Sequence, residues 1–210
     1  MQIQVDRAHY DFGRYVDEHR WNSYYYQIKE GLSGGNNVLI IGVGDGIVAD
    51  ILSKFGKNVN TFDFDPKLKP DIVGSVTKID EVLNKNYDTV LCCQVLEHIP
   101  FEEFEHTIKR ISRCTRSKFV LSLPNNNIKL DINVSVPKLP KMKVRKLIRR
   151  PFQKPYKIEE QGNGEHYWEI GAKGYSERKI IAVLKKYFII EKRYIPSDNM
   201  YHIFYILKPR

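Results

Sequence analysis

Cysteine is scarce in this chain, three in 210 residues, and their placement excludes two kinds of stabilisation. Cys92 and Cys93 are adjacent and Cys114 stands alone, which fits neither a disulfide framework nor a Cys-based metal site. They read as buried, reduced thiols, and no metal is expected. Long apolar runs are missing too: nothing reaches the roughly 18 residues that a membrane-spanning helix needs. The opening MQIQVDRAHYDFGRY carries charges where a signal peptide needs an apolar stretch, so the expectation is a cytoplasmic protein. What remains, 42% hydrophobic and 28% charged residues, is the composition of a globular protein with material for one full core, read as one domain over 1–210.

Acidic residues are nearly absent from one stretch. Residues 129–157, KLDINVSVPKLPKMKVRKLIRRPFQKPYK, hold ten Lys or Arg and one Asp, a net of +9 that equals the charge of the whole chain. The protein is therefore a neutral body with one basic segment. Within it, KMKVRKLIRR between Pro140 and Pro151 puts Val144, Leu147 and Ile148 on one face if helical, the pattern of a lid or of a helix lying on an anionic membrane through 141–150. A solvated loop is the plain alternative. One short stripe on a neutral body is thin for tracking a nucleic-acid backbone, so nucleic acid is not expected as a partner.

Along the chain, the first 35 residues are aromatic and polar and read as a helical cap ending at Gly34 and Gly35. From Asn37 the signals alternate. Val38 to Ile41 is a continuous apolar run, as in a strand covered on both faces, and Ile47, Val48, Ile51, Leu52 and Phe55 recur at helical spacing. VNTFDF (59–64), DIVGS (71–75), YDTVLCC (87–93) and KFVLSLP (118–124) read as further strands. A brief helix capped by Thr77 and an amphipathic helix, FEEFEHTIKRISRC, lie between them. Near the end Ser176 caps SERKIIAVLKKYF, and FIIEKRYIP (188–196) and MYHIFYILK (200–208) are separated by three residues, too few for a crossover, so they pair antiparallel. The fold class is α/β: a Rossmann-like, seven-stranded, mostly parallel sheet with an antiparallel last strand and helices on both faces. Residues 125–175, with four prolines and GNGEHYWEIGAKG, read as an irregular basic insert or lid.

The turn GVGDG places Gly42, Gly44 and Gly46 between the first strand and a helix. Glycines there allow positive φ and close approach of backbone N–H groups to a ligand at a helix N-terminus. The pattern lacks the G-x-G-x-x-G spacing of dinucleotide sites and the G-K-[ST] ending of a phosphate loop. Asp63, at the end of the second strand and 17 residues beyond Gly46, sits where a carboxylate can accept both hydroxyls of a ribose. A cap on the Asp65-Pro66 turn is the lesser alternative.

These residues resemble the class I S-adenosylmethionine-dependent methyltransferases. VLIIGVGDG looks like their glycine motif, TFDFDP the acidic end of strand two, DIVGS the third-strand motif and YDTVLCCQVLEHIP the fourth-strand signature. The resemblance implies S-adenosylmethionine as cofactor, with Gly42, Gly44 and Gly46 along its methionine and ribose portions, Asp63 on the ribose, Ser75 and Val76 by the adenine and Gln94 beside the sulfonium. Two acids common in the family are replaced, by Ile40 and Ser75, leaving Asp45 or an N-terminal residue to compensate. Tyr10, Tyr15, Arg20 and Trp21 are candidates to close over the cofactor.

If the acceptor is a hydroxyl, a base is useful, and His166, Glu169 and His98 are the candidate catalytic residues. His202, in an apolar strand, reads as a core histidine. EHYWEIG also looks like a stretch in family members of cell-surface glycan pathways, and Tyr167 and Trp168 suit either a sugar face or a core plug. The expected partner is a small-molecule or lipid-linked saccharide acceptor, anionic to match the basic segment. The alternatives are a non-catalytic scaffold on the same fold, which Ile40 and Ser75 keep open, and a nicotinamide-dependent oxidoreductase, which the glycine spacing disfavours.

Overall fold

The computed structural model describes residues 7–126, 128–134, 142–148, 166–196 and 199–210. A 3-10 turn, Arg7–Tyr10, and α1, Phe12–Tyr15, precede α2, Glu18–Leu32, whose N-cap Asp17 accepts from the Arg20 amide at 2.7 Å. There follow β1 (Asn37–Ile41), α3 (Ile47–Lys54), β2 (Asn58–Asp63), β3 (Ile72–Val73), α4 (Ile79–Val82), β4 (Tyr87–Cys93), α5 (Phe101–Cys114) and β5 (Thr115–Pro124). The chain continues with β6 (Ile128–Val134), β7 (Met142–Ile148), α6 (Glu177–Tyr187), β8 (Phe188–Tyr194) and β9 (His202–Pro209).

Seven strands form one sheet in the order β3-β2-β1-β4-β5-β9-β8. β1 pairs in parallel with β2 and β4, and β4 with β5, whereas β9 runs antiparallel to both β5 and β8. The apolar run of β1 is explained by its two neighbours in depth. Leu39 and Ile41 join one core with Phe104, Ile108 and Ile111 of α5 and Ile180 and Leu184 of α6. Val38 and Ile40 join the other, with Tyr24 of α2 and Val48 and Leu52 of α3. Alternate side chains of a strand point to opposite faces, so a strand between two helical layers needs no polar side. α2 ends tightly against β4: a Cβ on Gly34 would lie 2.0 Å from Thr89 Oγ1, so only glycine fits that approach.

Two expectations change, and one open choice is decided. Thr77 does not cap a helix but lies inside a 3-10 turn, Val76–Lys78, ahead of α4, and its hydroxyl is 2.9 Å from that of Ser75. The segment 125–175 is not irregular throughout, and 142–148 is not helical: β6 and β7 pair antiparallel as a separate two-stranded sheet. Residues alternating with period two, Ile128, Leu130, Ile132 and Val134, sit opposite Ile148, Lys146, Val144 and Met142, and Asp131 faces Arg145 in the register. That β-branched alternation outweighs the weaker helical spacing. Lys141, Arg149, Arg150, residues 151–157 and GNGE (162–165) lie outside the described residues. The open choice is that of Trp168, which is fully buried against Phe101 and Phe104 with its Nε1 donating to the Ile99 carbonyl at 3.0 Å, so it plugs the core and offers no face to a sugar. Among the described residues no helix is long and apolar enough to cross a membrane.

Candidate active site

A cavity of about 440 Å3 opens at the C-terminal ends of β1, β2 and β4. Open parallel sheets bind ligands at this edge, where helix N-termini and strand-end loops converge. Its floor is the glycine turn. Gly42, Gly44 and Gly46 have φ of 85°, 57° and 83°. Gly42 and Gly44 line the cavity, while Gly46 forms the N-cap of α3 and does not. At Gly42 the fit is tight as well as left-handed, since a Cβ there would meet Val95 Cγ2 at 2.4 Å.

Asp63 closes one side. Its Oδ2 accepts from the Val43 amide and its Oδ1 from the Asp65 amide, both at 2.9 Å. Burial pushes the carboxyl above the usual aspartate value, outweighing those N–H donors. The Phe64 amide also favours the ionised carboxylate, and of the carboxylate's roughly four lone pairs at least one remains to accept from a ligand hydroxyl. The cap and ligand readings of Asp63 are thus compatible. Asp65, 3% exposed, also lines the cavity, as do Phe62, Leu68, Gly74 and Val76. Ser75 does not.

The N-terminal elements cover the top: His9, Tyr10, Tyr15, Arg20, Ser23, Tyr24 and Gln27 all line the cavity. Arg20 lies over the Tyr15 ring at 3.6 Å and its Nε is buried without a hydrogen-bond partner. Trp21 is 47% exposed and outside the cavity. Asp45 also stays outside, held by the Tyr24 hydroxyl at 2.5 Å and the Ile47 amide at 3.1 Å. Where the sequence puts Ile40 in place of an acid, the polar groups at hand are therefore Arg20, Ser23 and Gln27.

Across β1 from Asp63 stands a cluster on the β4 and β5 side. Gln94, at a left-handed φ of 57°, donates from Nε2 to Ser122 Oγ at 3.1 Å, a conformation that costs a non-glycine residue about 1 kcal/mol or more. His98 and His166 line the cavity with ring centroids 4.9 Å apart. His166 Nδ1 is 2.9 Å from Glu169 Oε1, which also accepts from the Tyr201 hydroxyl at 2.6 Å. Burial works against the Glu169 carboxylate, yet the bonds from His166 and Tyr201 prevail and hold it below the usual value. Glu97, fully buried, has no hydrogen-bond partner at either carboxylate oxygen, and burial pushes it up to about 7 against the pull of His166.

The segment carrying His166 and Glu169 is tied to the sheet by backbone bonds. The Tyr167 amide donates to the Glu97 carbonyl at 2.7 Å and the Ile170 amide to the Pro124 carbonyl at 3.1 Å. Glu169 itself does not line the cavity but orients His166. His202, read from the sequence as a core histidine, instead lines the cavity with Nδ1 2.8 Å from Ser23 Oγ, and Tyr201 lines it too. No local pattern marks Tyr201; only the hairpin's return beside β5 brings it to Glu169.

A profile of the methyltransferase-domain family matches residues 13–169, about three quarters of the chain. The chain belongs to this methyltransferase family. The match makes the protein a methyltransferase rather than a nicotinamide-dependent oxidoreductase. The methyltransferase is similar in fold to an S-adenosylmethionine-dependent methyltransferase from Clostridium acetobutylicum, at 14% identity over 92% of each chain and a TM-score of 0.57. It is similar also to magnesium protoporphyrin IX methyltransferase from Synechocystis, solved with S-adenosylhomocysteine, at 16% identity over 100% of this chain and 90% of that one, TM-score 0.61. A third is the N-methyltransferase NodS from Bradyrhizobium japonicum, solved with the same molecule, at 10% identity over 92% and 88%, TM-score 0.60. No curated protein matches the methyltransferase in sequence.

Proposed function

We propose that the protein transfers the methyl group of S-adenosylmethionine to a small, anionic acceptor of saccharide type. One observation carries the cofactor half: Asp63 and the left-handed turn Gly42–Gly44 border a single cavity roofed by α1 and α2. The residues fit the cofactor, since Asp63 suits its ribose, Phe62, Leu68 and Val76 its adenine, and the orphaned Arg20 Nε its carboxylate. When bound, the sulfonium supplies an already activated methyl group, so the protein's work is alignment and exclusion of water. α1 and α2 exclude water, Gln94 shapes the β4 end, and His98, His166 and Glu169 handle the acceptor's proton, Glu169 fixing His166 through Nδ1. A second recess of about 300 Å3, sharing Arg20, Tyr201 and His202 with the cavity, is the route offered to the acceptor.

Asp63→Ala should weaken S-adenosylhomocysteine binding at least about tenfold in calorimetric titration, the loss of a charge-assisted bond. Unchanged affinity in a folded variant would overturn the site and move the ribose contact to Asp65.

The acceptor half is supported by the basic segment, part of which is β7. The solved neighbours named for a porphyrin and a glycopeptide act on quite different molecules, so the charge, not the fold, argues for the acceptor. Replacing Lys143, Arg145 and Lys146 together by Gln should leave S-adenosylhomocysteine affinity alone and weaken binding to phosphatidylglycerol vesicles, at about 1 kcal/mol per charge. Wild-type vesicle binding should fall with salt, as exposed charges are screened within about 8 Å at physiological ionic strength. If the triple variant and wild type bind vesicles alike, the segment is only solvated and the anionic, lipid-linked acceptor falls with it.

A further inference from the structure

We infer that Glu97, His98 and His166 form a binding site for one divalent transition-metal ion at the wall of the cavity. Each offers one ligand atom, and these atoms all lie within 4.8 Å of one another. Ligands about 2.0–2.1 Å from a tetrahedral ion are separated by roughly 3.4 Å, so the set has to draw in by about 1.4 Å at most to hold one. Among the described residues this is the one group of its kind.

A buried orphan points to the same place. Glu97 is 0% exposed, and neither carboxylate oxygen has a hydrogen-bond partner, whereas buried polar atoms in native proteins are almost always satisfied. Nor does the protein provide a Lys or Arg partner to Glu97 among the described ion pairs. A cation between the two imidazoles satisfies it.

Outside the ligands, the arrangement is that of a metal-bound histidine. His166 is held through Nδ1 by Glu169, which the Tyr201 hydroxyl holds in turn. A carboxylate on one ring nitrogen fixes the tautomer and orientation of the imidazole, as the outer partner of a metal-bound histidine does. Two imidazoles and one carboxylate suit zinc, manganese, iron or cobalt, whereas calcium and magnesium take oxygen ligands. Three protein ligands leave an open position, and because His98 and His166 line the cavity it lies where a substrate oxygen can reach. With an ion bound, His98 and His166 serve as its ligands in place of handling the acceptor's proton, and a hydroxyl at the open position has its pKa lowered and gives its proton to solvent water. The site stands on these residues alone; its service to an acceptor rests on the methyltransferase reading above.

The full chain, stripped with a chelator and dialysed, is titrated with Co2+ followed by visible absorption and with Zn2+ followed by calorimetry. One ion per chain is expected, with affinity at least about tenfold weaker in Glu97→Gln and in His98→Ala. Glu97→Gln, nearly isosteric and outside the cavity lining, should keep its S-adenosylhomocysteine affinity. Binding well below one equivalent, or equal metal affinity in wild type and both variants, overturns the metal site while leaving the cofactor site standing. Loss of S-adenosylhomocysteine binding in the wild type overturns the methyltransferase reading instead.

Discussion

Gly44→Val abolishes S-adenosylhomocysteine binding, a loss of at least about 100-fold in Kd, while the sheet stays folded. The residue holds a φ of 57°, where a β-branched side chain is strained, so about 1–2 kcal/mol of stability should go as well. Among the described residues nothing blocks an added Cβ: the nearest atom is Tyr10 Cε1, 3.9 Å away and itself a cavity wall. The valine methyls therefore enter the space meant for ligand. Gly42 is the contrast, because a Cβ there collides with Val95 and a substitution damages the fold first. Calorimetric titration beside circular-dichroism melting separates the two. Wild-type affinity in a folded Gly44→Val protein would mean that the turn is structural only.

Trp168→Ala should cost about 3–5 kcal/mol, the range for removing a large aromatic from a core. At this chain length that is a fall in melting temperature of roughly 6–20 °C. The indole fills the space between Phe101 and Phe104 and satisfies the Ile99 carbonyl, so alanine leaves both a cavity and an unpaired acceptor. His166 and Glu169 flank it in sequence, and catalytic rate should drop further than stability alone explains. Trp168→Phe should recover most of the packing but not the hydrogen bond. A Trp168→Ala protein melting like wild type would return this residue to the role of a sugar platform.

Much of the parallel sheet was legible because its strands carry strong local signals. The uninterrupted VLII of β1 and the bounds of β4 and α5 follow from burial on two faces and from helical spacing, and the three-residue link between β8 and β9 left only antiparallel pairing. Asp63 and the glycine turn were legible because backbone chemistry confines such residues to few uses. The basic segment was not, since KMKVRKLIRR satisfies a loose helical spacing and a strand alternation at once, and the decision came from pairing with Ile128–Val134, which no local window contains. Trp168 was undecidable for a similar reason, its burial being set by α5. The carboxylate–histidine cluster stayed hidden because Glu97 and His166 are far apart in sequence and meet only where the Tyr167 amide binds the Glu97 carbonyl.

The placement of β9 between β5 and β8 bears on the order in which the molecule can assemble. Until residues 202–209 are available, β5 has an open edge along Phe119 to Pro124, and β8 has no neighbour through which to reach the sheet. An unpaired apolar edge is a template for pairing with other chains. The hairpin must therefore arrive as one piece, and a nascent or truncated chain ending before His202 is the species most exposed to aggregation. Closing this edge joins segments some 80 residues apart, a contact whose loop-closure cost places it late in folding. Tyr201 and His202 come in with it, so the cavity acquires its last wall only as the sheet is sealed.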